Sequence, residues 1–376
     1  MNVLQYLTEN KDQILRDIEW IVTCESPSRR KDLSDECADA IYQMFYERLG
    51  VYGEAYEQEE TGKHLKFEIG RGDKTVVMLA HYDTVWEEGD LSYYIEGDKA
   101  YGPGTVDMKA GLVQSMWAIK ALQELDVELD YKIKFLVTAD EEIKSPTGQY
   151  FIKDEAKDAD VVLVVEPPTG YEGLIKTERK GDATYDIKAI GVASHAGNDP
   201  KPQANAINEL AHQIVKLENL ADLENGTSIN VGVIHGGSKR NVTAAEAVME
   251  VDCRFSKREE AHRIDEAIQA LKPTLKETDL VVEGEIGRYP MERTEQTVEL
   301  YEMAKEVASD LGMEIGETFA GGVSDGNFTS AMGIPTLDGL GAIGDGLHAP
   351  HEHIVISELP RRGALLAGVL EKLNKS

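Results

Sequence analysis

The order of apolar runs predicts an α/β fold, a mainly parallel sheet with helices on both faces, carrying an inserted smaller split-βαβ domain. Three observations support it. The runs at 75–80, 131–138 and 160–165 are short, apolar and bounded by turn residues, as strands buried on both faces are. Segments of helical period at 108–125 and 147–155 alternate with them, which is the pattern of a parallel α/β layer. Beyond Lys176 the order becomes β-α-β-β-α-β, the order of a split βαβ unit.

Each element has its own local reason. Leu4, Leu7, Ile14, Ile18 and Ile21 recur at roughly helical spacing and predict one amphipathic helix; Ala38, Ile41, Phe45 and Leu49 before Gly50 predict a second. From 65 to 80 the pattern is extended, and Gly70-Arg-Gly-Asp73 punctuates it, so a hairpin ending in a buried strand is expected. In the insertion, strands are expected at 184–192, 228–234, 247–255 and 280–286, with helices at 203–217 and 259–271. Gly287-Arg-Tyr-Pro-Met291 reads as the return hinge. The expected division is a catalytic domain of 1–177 and 288–376 and an inserted dimerisation or lid domain of 178–287. From Gln296 onward helices and short strands alternate, with a final helix from Ser357 and no internal repeat.

Composition narrows the function classes. In 376 residues, 39 Lys and Arg face 69 Asp and Glu, a net charge of −30. A field of that sign repels nucleic acid and anionic membrane surfaces and attracts cations. The longest apolar stretches are strand-sized, well short of the ~20 residues of a membrane-spanning helix. The first residues run into Glu9, Lys11 and Asp12 without the basic start and apolar core of a signal peptide, so a cytoplasmic chain is expected. Cys24, Cys37 and Cys253 are odd in number and widely spaced, which argues for reduced thiols over disulfides or a thiolate metal site.

Potential metal ligands fall where these strands end. His81-Tyr-Asp83 follows the run at 75–80, and residues two apart on an extended segment face the same way, so Asp83 can hold one ring nitrogen of His81 while the other faces a cation. Taken alone, this tripeptide is weak evidence and reads first as a solvated surface feature. Asp140-Glu141-Glu142 follows the run at 131–138; neighbouring carboxylates diverge, which lets one ligate a metal while the other acts as a general base, or leaves both as a solvated acidic turn. Glu166 ends Val161-Val-Leu-Val-Val165, where an unpaired charge is costly. Asp107 lies in a glycine-rich loop feeding a helix and is a ligand or a helix cap. Gly346-Leu-His348-Ala-Pro-His-Glu352 supplies another strand-end histidine with a carboxylate four residues on. His351 and His353 are expected to be solvated, and His64, His212, His235 and His262 structural.

In order along the chain, His81-Tyr-Asp83, the Asp107 loop, Asp140-Glu141-Glu142, Glu166-Pro, Ser194-His195-Ala-Gly, Gly321-Gly-Val-Ser-Asp-Gly-Asn327 and His348-x-x-x-Glu352 resemble the co-catalytic dizinc exopeptidase and amidase family. That family includes glutamate carboxypeptidases, acetylornithine deacetylases, succinyl-diaminopimelate desuccinylases, aminoacylases and tripeptide aminopeptidases. The resemblance implies two divalent cations, Zn²⁺ first and Co²⁺ or Mn²⁺ as alternatives, with His81 and Glu166 on one, Glu142 and His348 on the other, and Asp107 bridging. It further implies Asp83 behind His81, Glu141 as general base, and His195 reaching the active site of a partner subunit in a homodimer. Asn241, Arg254, Arg288 and Gly322 match substrate-contact positions, although Arg254 could instead pair with Asp252 two residues before it. A cis peptide between Asp107 and Met108 is implied as well.

The expected reaction is hydrolysis of the amide of a small peptide or N-acyl amino acid with a free carboxylate. Gly321 to Asn327 and the ending Ile356-Ser-Glu-Leu-Pro-Arg-Arg362 look most like glutamate carboxypeptidase; Glu166, where carboxypeptidases usually have Asp, points to an N-acyl amino acid deacylase. From another class, a non-catalytic dimeric binding protein of the same fold would be expected to have lost some of Glu141, Asp107 or His195. A magnesium-dependent phosphoryl enzyme would need a phosphate-cradling loop with Lys or Arg, which Gly102-Pro-Gly104 lacks.

Overall fold

A computed structural model describes residues 1–374. The chain divides into two compact units: Met1–Glu178 with Arg293–Phe319 and the segment from Ser324 onward, and Arg179–Glu292 with Ala320–Val323.

The first unit opens with α1 (Val3–Glu9), α2 (Lys11–Thr23) and α3 (Lys31–Leu49). The single helix expected over 4–21 is two helices, because the Asn10 side-chain amide donates to the Tyr6 carbonyl at 2.8 Å and closes α1 before α2 begins. There follow β1 (Gly53–Tyr56), β2 (His64–Gly70), β3 (Thr75–His81), β4 (Tyr94–Glu96), β5 (Lys99–Tyr101), α4 (Ala110–Glu124), β6 (Lys132–Thr138), α5 (Gly148–Glu155), β7 (Val161–Val164) and β8 (Ile175–Arg179). The peptide between Asp107 and Met108 is cis.

The second unit holds β9 (Gly181–Ile190), α6 (Ala206–Glu218), β10 (Ser228–Gly236), β11 (Glu246–Phe255), α7 (Arg258–Gln269) and β12 (Asp279–Arg288). Its sheet is antiparallel in the order β10-β11-β9-β12, so β10 and β12 are edges. Along β9, Ala183, Tyr185, Ile187 and Ala189 are buried and pack with Leu210 of α6 and Ile264 of α7, the strand alternation of a sheet with one face covered. The chain then runs through α8 (Glu295–Asp310), β13 (Glu317–Ala320), α9 (Gly326–Ala331), β14 (Thr336–Leu337), β15 (Gly344–Asp345), β16 (His353–Val355) and α10 (Leu359–Leu373).

The sheet of the first unit has the order β1-β2-β6-β3-β7-β14. The hairpin expected over 65–80 does not form: β2 pairs antiparallel with β6, and β6 lies between it and β3. β3 is parallel to β6 and to β7. Every residue of β3 is buried because both faces are covered. Val76, Met78 and Ala80 join the core with α1, α3, α4 and α10, while Val77 and Leu79 join a second core with Phe151 and Ile152 of α5 and Phe328 of α9. This two-sided burial is what made the strand an unbroken apolar run. Among the described residues no helix is long and apolar enough to cross a membrane.

Candidate active site

In a parallel α/β sheet the loops beyond the carboxyl ends of the strands diverge and leave room for polar groups. His81 is the last residue of β3 and pairs with Thr138, the last residue of β6. Glu141 and Glu142 follow β6 in a 3₁₀ turn, and Glu166 lies two residues past β7. Asp107 lies in the turn before α4 and does not cap that helix. His348 holds a left-handed backbone, φ 57°, in the turn between β15 and β16.

These side chains converge. His81 Nε2 is 3.2 Å from Asp107 Oδ1 and 3.4 Å from Glu166 Oε1. His348 Nε2 is 3.3 Å from the other Asp107 oxygen, Oδ2, and 3.2 Å from Glu142 Oε2. Asp107 therefore faces two imidazole–carboxylate pairs, one oxygen to each. His81 Nδ1 lies 3.1 Å from the Asp83 carbonyl, which can only accept, so Nδ1 carries a proton and Nε2 is the ring nitrogen left to serve a cation.

The electrostatics call for cations. Asp107, Glu142, Glu166 and Asp83 are four carboxylates gathered around two imidazoles. Burial pushes Glu142 up to about 7, helped by the charges of Asp107 and Asp83 and opposed by His348. Burial presses His81 down, yet Asp107, Asp83 and Glu166 hold it well above its ordinary value. Hydrogen bonds to Asp107 and Glu142 raise His348 to about 10. The spacing fits a small divalent ion as well: bonds of about 2.0–2.1 Å in a tetrahedron set donor atoms about 3.3 Å apart. Among the described residues, His81, Asp107 and Glu142 bring ligand atoms within 4.8 Å of one another.

Asp83, fully buried, organises the rest. Its Oδ1 accepts from the Glu141 backbone and its Oδ2 from the Glu142 backbone, both at 3.1 Å, and Ser28 Oγ donates to Oδ2 at 2.7 Å. The glycine-rich turns hold the strand ends closely: a Cβ on Gly341 would lie 2.2 Å from the Val165 carbonyl. Arg362, fully buried, donates to the carbonyls of Gly339 at 2.6 Å and Gly341 at 3.1 Å. No role was read for it from sequence, though an arginine on the apolar face of α10 with Leu359, Leu366 and Leu370 was the available signal.

Within the second unit, His195 is exposed, and its Nδ1 accepts from the Gly197 and Asn198 backbones at 3.1 Å each. Nε2 of the neutral ring is thereby the N–H donor. Its loop is tied to the segment of Asn241, whose carbonyl accepts from the Ala196 N–H at 3.0 Å. Arg254 is gripped by Asp252 through two bonds of 2.9 and 3.0 Å, the local pairing that the sequence left open. Asp182 on β9 stands in register with Arg254 on one side and Arg288 on the other, and Arg288 is buried. The Gly322 carbonyl accepts from Arg179 at 3.2 Å. His353, expected to be solvated, is buried with its ring between the His351 carbonyl and the Tyr171 hydroxyl, because its neighbours on β16 and β5 cover it.

Known proteins resemble this chain over most of its length. Carboxypeptidase G2 of Pseudomonas sp. (strain RS-16) is 30% identical over 311 residues, covering 81% of this chain and 75% of that protein. Succinyl-diaminopimelate desuccinylase of Nautilia profundicola is 24% identical over 343 residues, 85% of this chain and 91% of its own. In fold, the crystal structure of aminopeptidase PepT from Bacillus cereus ATCC 10987 matches with a TM-score of 0.78 at 22% identity, covering 97% of this chain and 99% of its own. The description of peptidase family M20/M25/M40 matches residues 77–372, so the chain belongs to that family and is a hydrolase of the metal-dependent peptidase class.

Proposed function

We propose that this enzyme hydrolyses the amide bond of a small peptide or N-acyl amino acid that ends in a free carboxylate, in the manner of a glutamate carboxypeptidase. The observation that supports it most is the split of the Asp107 carboxylate between the His81–Glu166 and His348–Glu142 pairs. Those five residues would hold two divalent cations, Zn²⁺ first and Co²⁺ or Mn²⁺ as alternatives. Cations so held supply Lewis acidity and make water acidic enough to attack near neutral pH.

The chain's own residues do the rest. Glu141 takes the proton of the attacking water and returns it to the leaving amine. Asp83 fixes the Glu141 backbone and the His81 ring together. His195, with its Nε2–H already selected by Gly197 and Asn198, donates to the developing oxyanion from the partner subunit of a homodimer formed through the second unit, 178–287 of the sequence division. Arg288, with Asn241, Arg254 and Gly322, receives the substrate carboxylate, for which a guanidinium fork is suited. The setting proposed is the cytoplasm, where buried thiols such as Cys37 and Cys253 stay reduced.

A second reading, N-acyl amino acid deacylase, is favoured by Glu166 in the ligand set and by the desuccinylase among the relatives. One experiment tests both. Zinc- and cobalt-loaded protein is assayed on dipeptides and N-acyl amino acids with free and blocked carboxylates, beside Glu141→Gln. Turnover of free-carboxylate substrates, lost in Glu141→Gln with metal content unchanged, is the expected result. Equal turnover of blocked substrates would overturn the carboxylate requirement, and an active Glu141→Gln would place the base elsewhere.

A further inference from the structure

Glu352 lies four residues beyond His348 and is 1% exposed. Its carboxylate receives four N–H donors. Trp86 Nε1 reaches Oε2 at 2.7 Å and the Gly104 backbone reaches the same oxygen at 3.1 Å. The Val106 and Asp107 backbones donate to Oε1 at 3.0 and 3.2 Å. An ionised carboxylate offers about four lone-pair sites, so its accepting capacity is filled. Three of the donors belong to the loop that presents Asp107.

The same residue closes the turn that presents His348. The Glu352 N–H donates to the Ala349 carbonyl at 2.9 Å, and the Glu352 carbonyl accepts from Gly102 at 3.4 Å. A Cβ on Gly346, which sits at φ 83°, would lie 2.8 Å from the Glu352 nitrogen, so the turn is packed closely against it. One side chain thus joins the two segments whose ligands, Asp107 Oδ2 and His348 Nε2, stand 3.3 Å apart.

We propose that Glu352 is a positioning residue that sets the Asp107–His348 spacing and thereby the affinity of the cation on the His348–Glu142 side, more than that of the cation on the His81–Glu166 side. This rests on the two-cation reading above. The asymmetry follows from the connections. On the His348 side two of the three protein ligands, Asp107 and His348, hang on segments that Glu352 joins. On the His81 side only Asp107 does, while His81 and Glu166 stand at the ends of β3 and β7, fixed by the sheet.

The test uses the full chain, stripped with chelator and titrated with Zn²⁺, ions bound being counted by native mass spectrometry and affinities taken from calorimetry. Wild type is expected to take two ions. Glu352→Gln turns an amide N–H₂ against backbone donors, and it is expected to keep the tighter ion unchanged and bind the second about ten- to a hundredfold more weakly, the range for loss of a group that orients ligands. Cobalt loading reports the same step by absorption. Trp86→Phe removes one donor only, and a second-ion affinity weakened severalfold with the first unchanged is expected there, which keeps the proposal exposed should Glu352→Gln not fold. Two ions at wild-type affinities in the folded variants, or equal weakening of both ions, would overturn the proposal. A wild type that saturates at one ion would instead overturn the two-cation reading.

Discussion

The Glu141 backbone N–H donates to Asp83 Oδ1 at 3.1 Å, and that oxygen lies 3.4 Å from His81 Nδ1. The proposed base is therefore held by the same buried carboxylate that stands beside a proposed metal ligand, whose Nδ1 also meets the Asp83 carbonyl at 3.1 Å. Asp83→Asn should damage both at once, because an amide has one accepting oxygen for donors that now meet two, and its N–H₂ would face a backbone N–H. A loss of about ten- to a hundredfold in metal affinity is expected, with kcat falling in the metal-saturated protein as well. Metal competition and steady-state rates check it. Unchanged kcat at saturating metal would show that the position of Glu141 does not depend on Asp83.

The turn bearing Glu141 and Glu142 is also held from its far end. Ser145, at φ 52°, donates from Oγ to Asp325 Oδ1 at 2.5 Å, and Thr138 Oγ1 donates to Asp325 Oδ2 at 2.8 Å. Asp325→Asn and Ser145→Ala should each lower kcat on the order of tenfold, about 1.4 kcal/mol of barrier, and leave KM and metal content alone. The double variant should be no worse than the worse single one, since both remove one connection. Additive losses would separate the two residues.

Glu260, in the first turn of α7, is held down to about 2 by the Arg263 guanidinium, with burial opposing and the Thr227 hydroxyl assisting. A folded-state pKa below the ordinary 4.5 contributes stability that is present above pH 4.5 and disappears as pH falls through about 2. Arg263 is 41% exposed, so screening limits the contribution to roughly 0.5–1 kcal/mol. Glu260→Gln should cost that much at pH 7 and progressively less toward pH 2, as read by denaturant titration. A gap independent of pH would make the effect one of packing.

The two arginines of the second unit should differ. Arg288→Ala is expected to raise KM for free-carboxylate substrates and to affect their esters much less. In Arg254→Ala the loss should be smaller, because Asp252 already occupies its fork. Equal losses on acids and esters for both variants would assign both to structure.

What the sequence made legible was local. His81 and Glu166 come directly after an apolar run and Glu142 in the turn that follows one, so finding the strands located the ligands. The pairing order was not legible, because β6 enters between β2 and β3 from some 50 residues further on, and no pattern within 65–80 records that. The supports were hidden for the same reason. Glu352 meets Val106 across 246 residues and Asp325 meets Thr138 across 187, so both stood in motifs of the sequence while their partners did not show. The break at Asn10 was different: an asparagine able to bond the helix carbonyl behind it was visible, and apolar periodicity masked it.

The proposed homodimer has a decisive test in subunit mixing. If His195 serves the partner's active site while Glu141 serves its own, a His195→Ala chain and a Glu141→Gln chain should each be nearly inactive alone. A heterodimer of the two contains one site with Glu141 from one chain and His195 from the other, both intact, and a second site lacking both. Random exchange makes half the dimers heterodimers, each with one working site in two, so roughly a quarter of the wild-type rate should return. The Nε2–H that Gly197 and Asn198 select on His195 is a donor, so His195→Gln, which keeps an N–H, should retain more activity than His195→Ala. Exchange is followed by native mass spectrometry of chains differing in isotope content. Heterodimers that form without recovery of activity would mean that His195 acts within its own chain or not at all, and a chain that stays monomeric at assay concentration while turning over substrate would remove the partner from the reaction altogether.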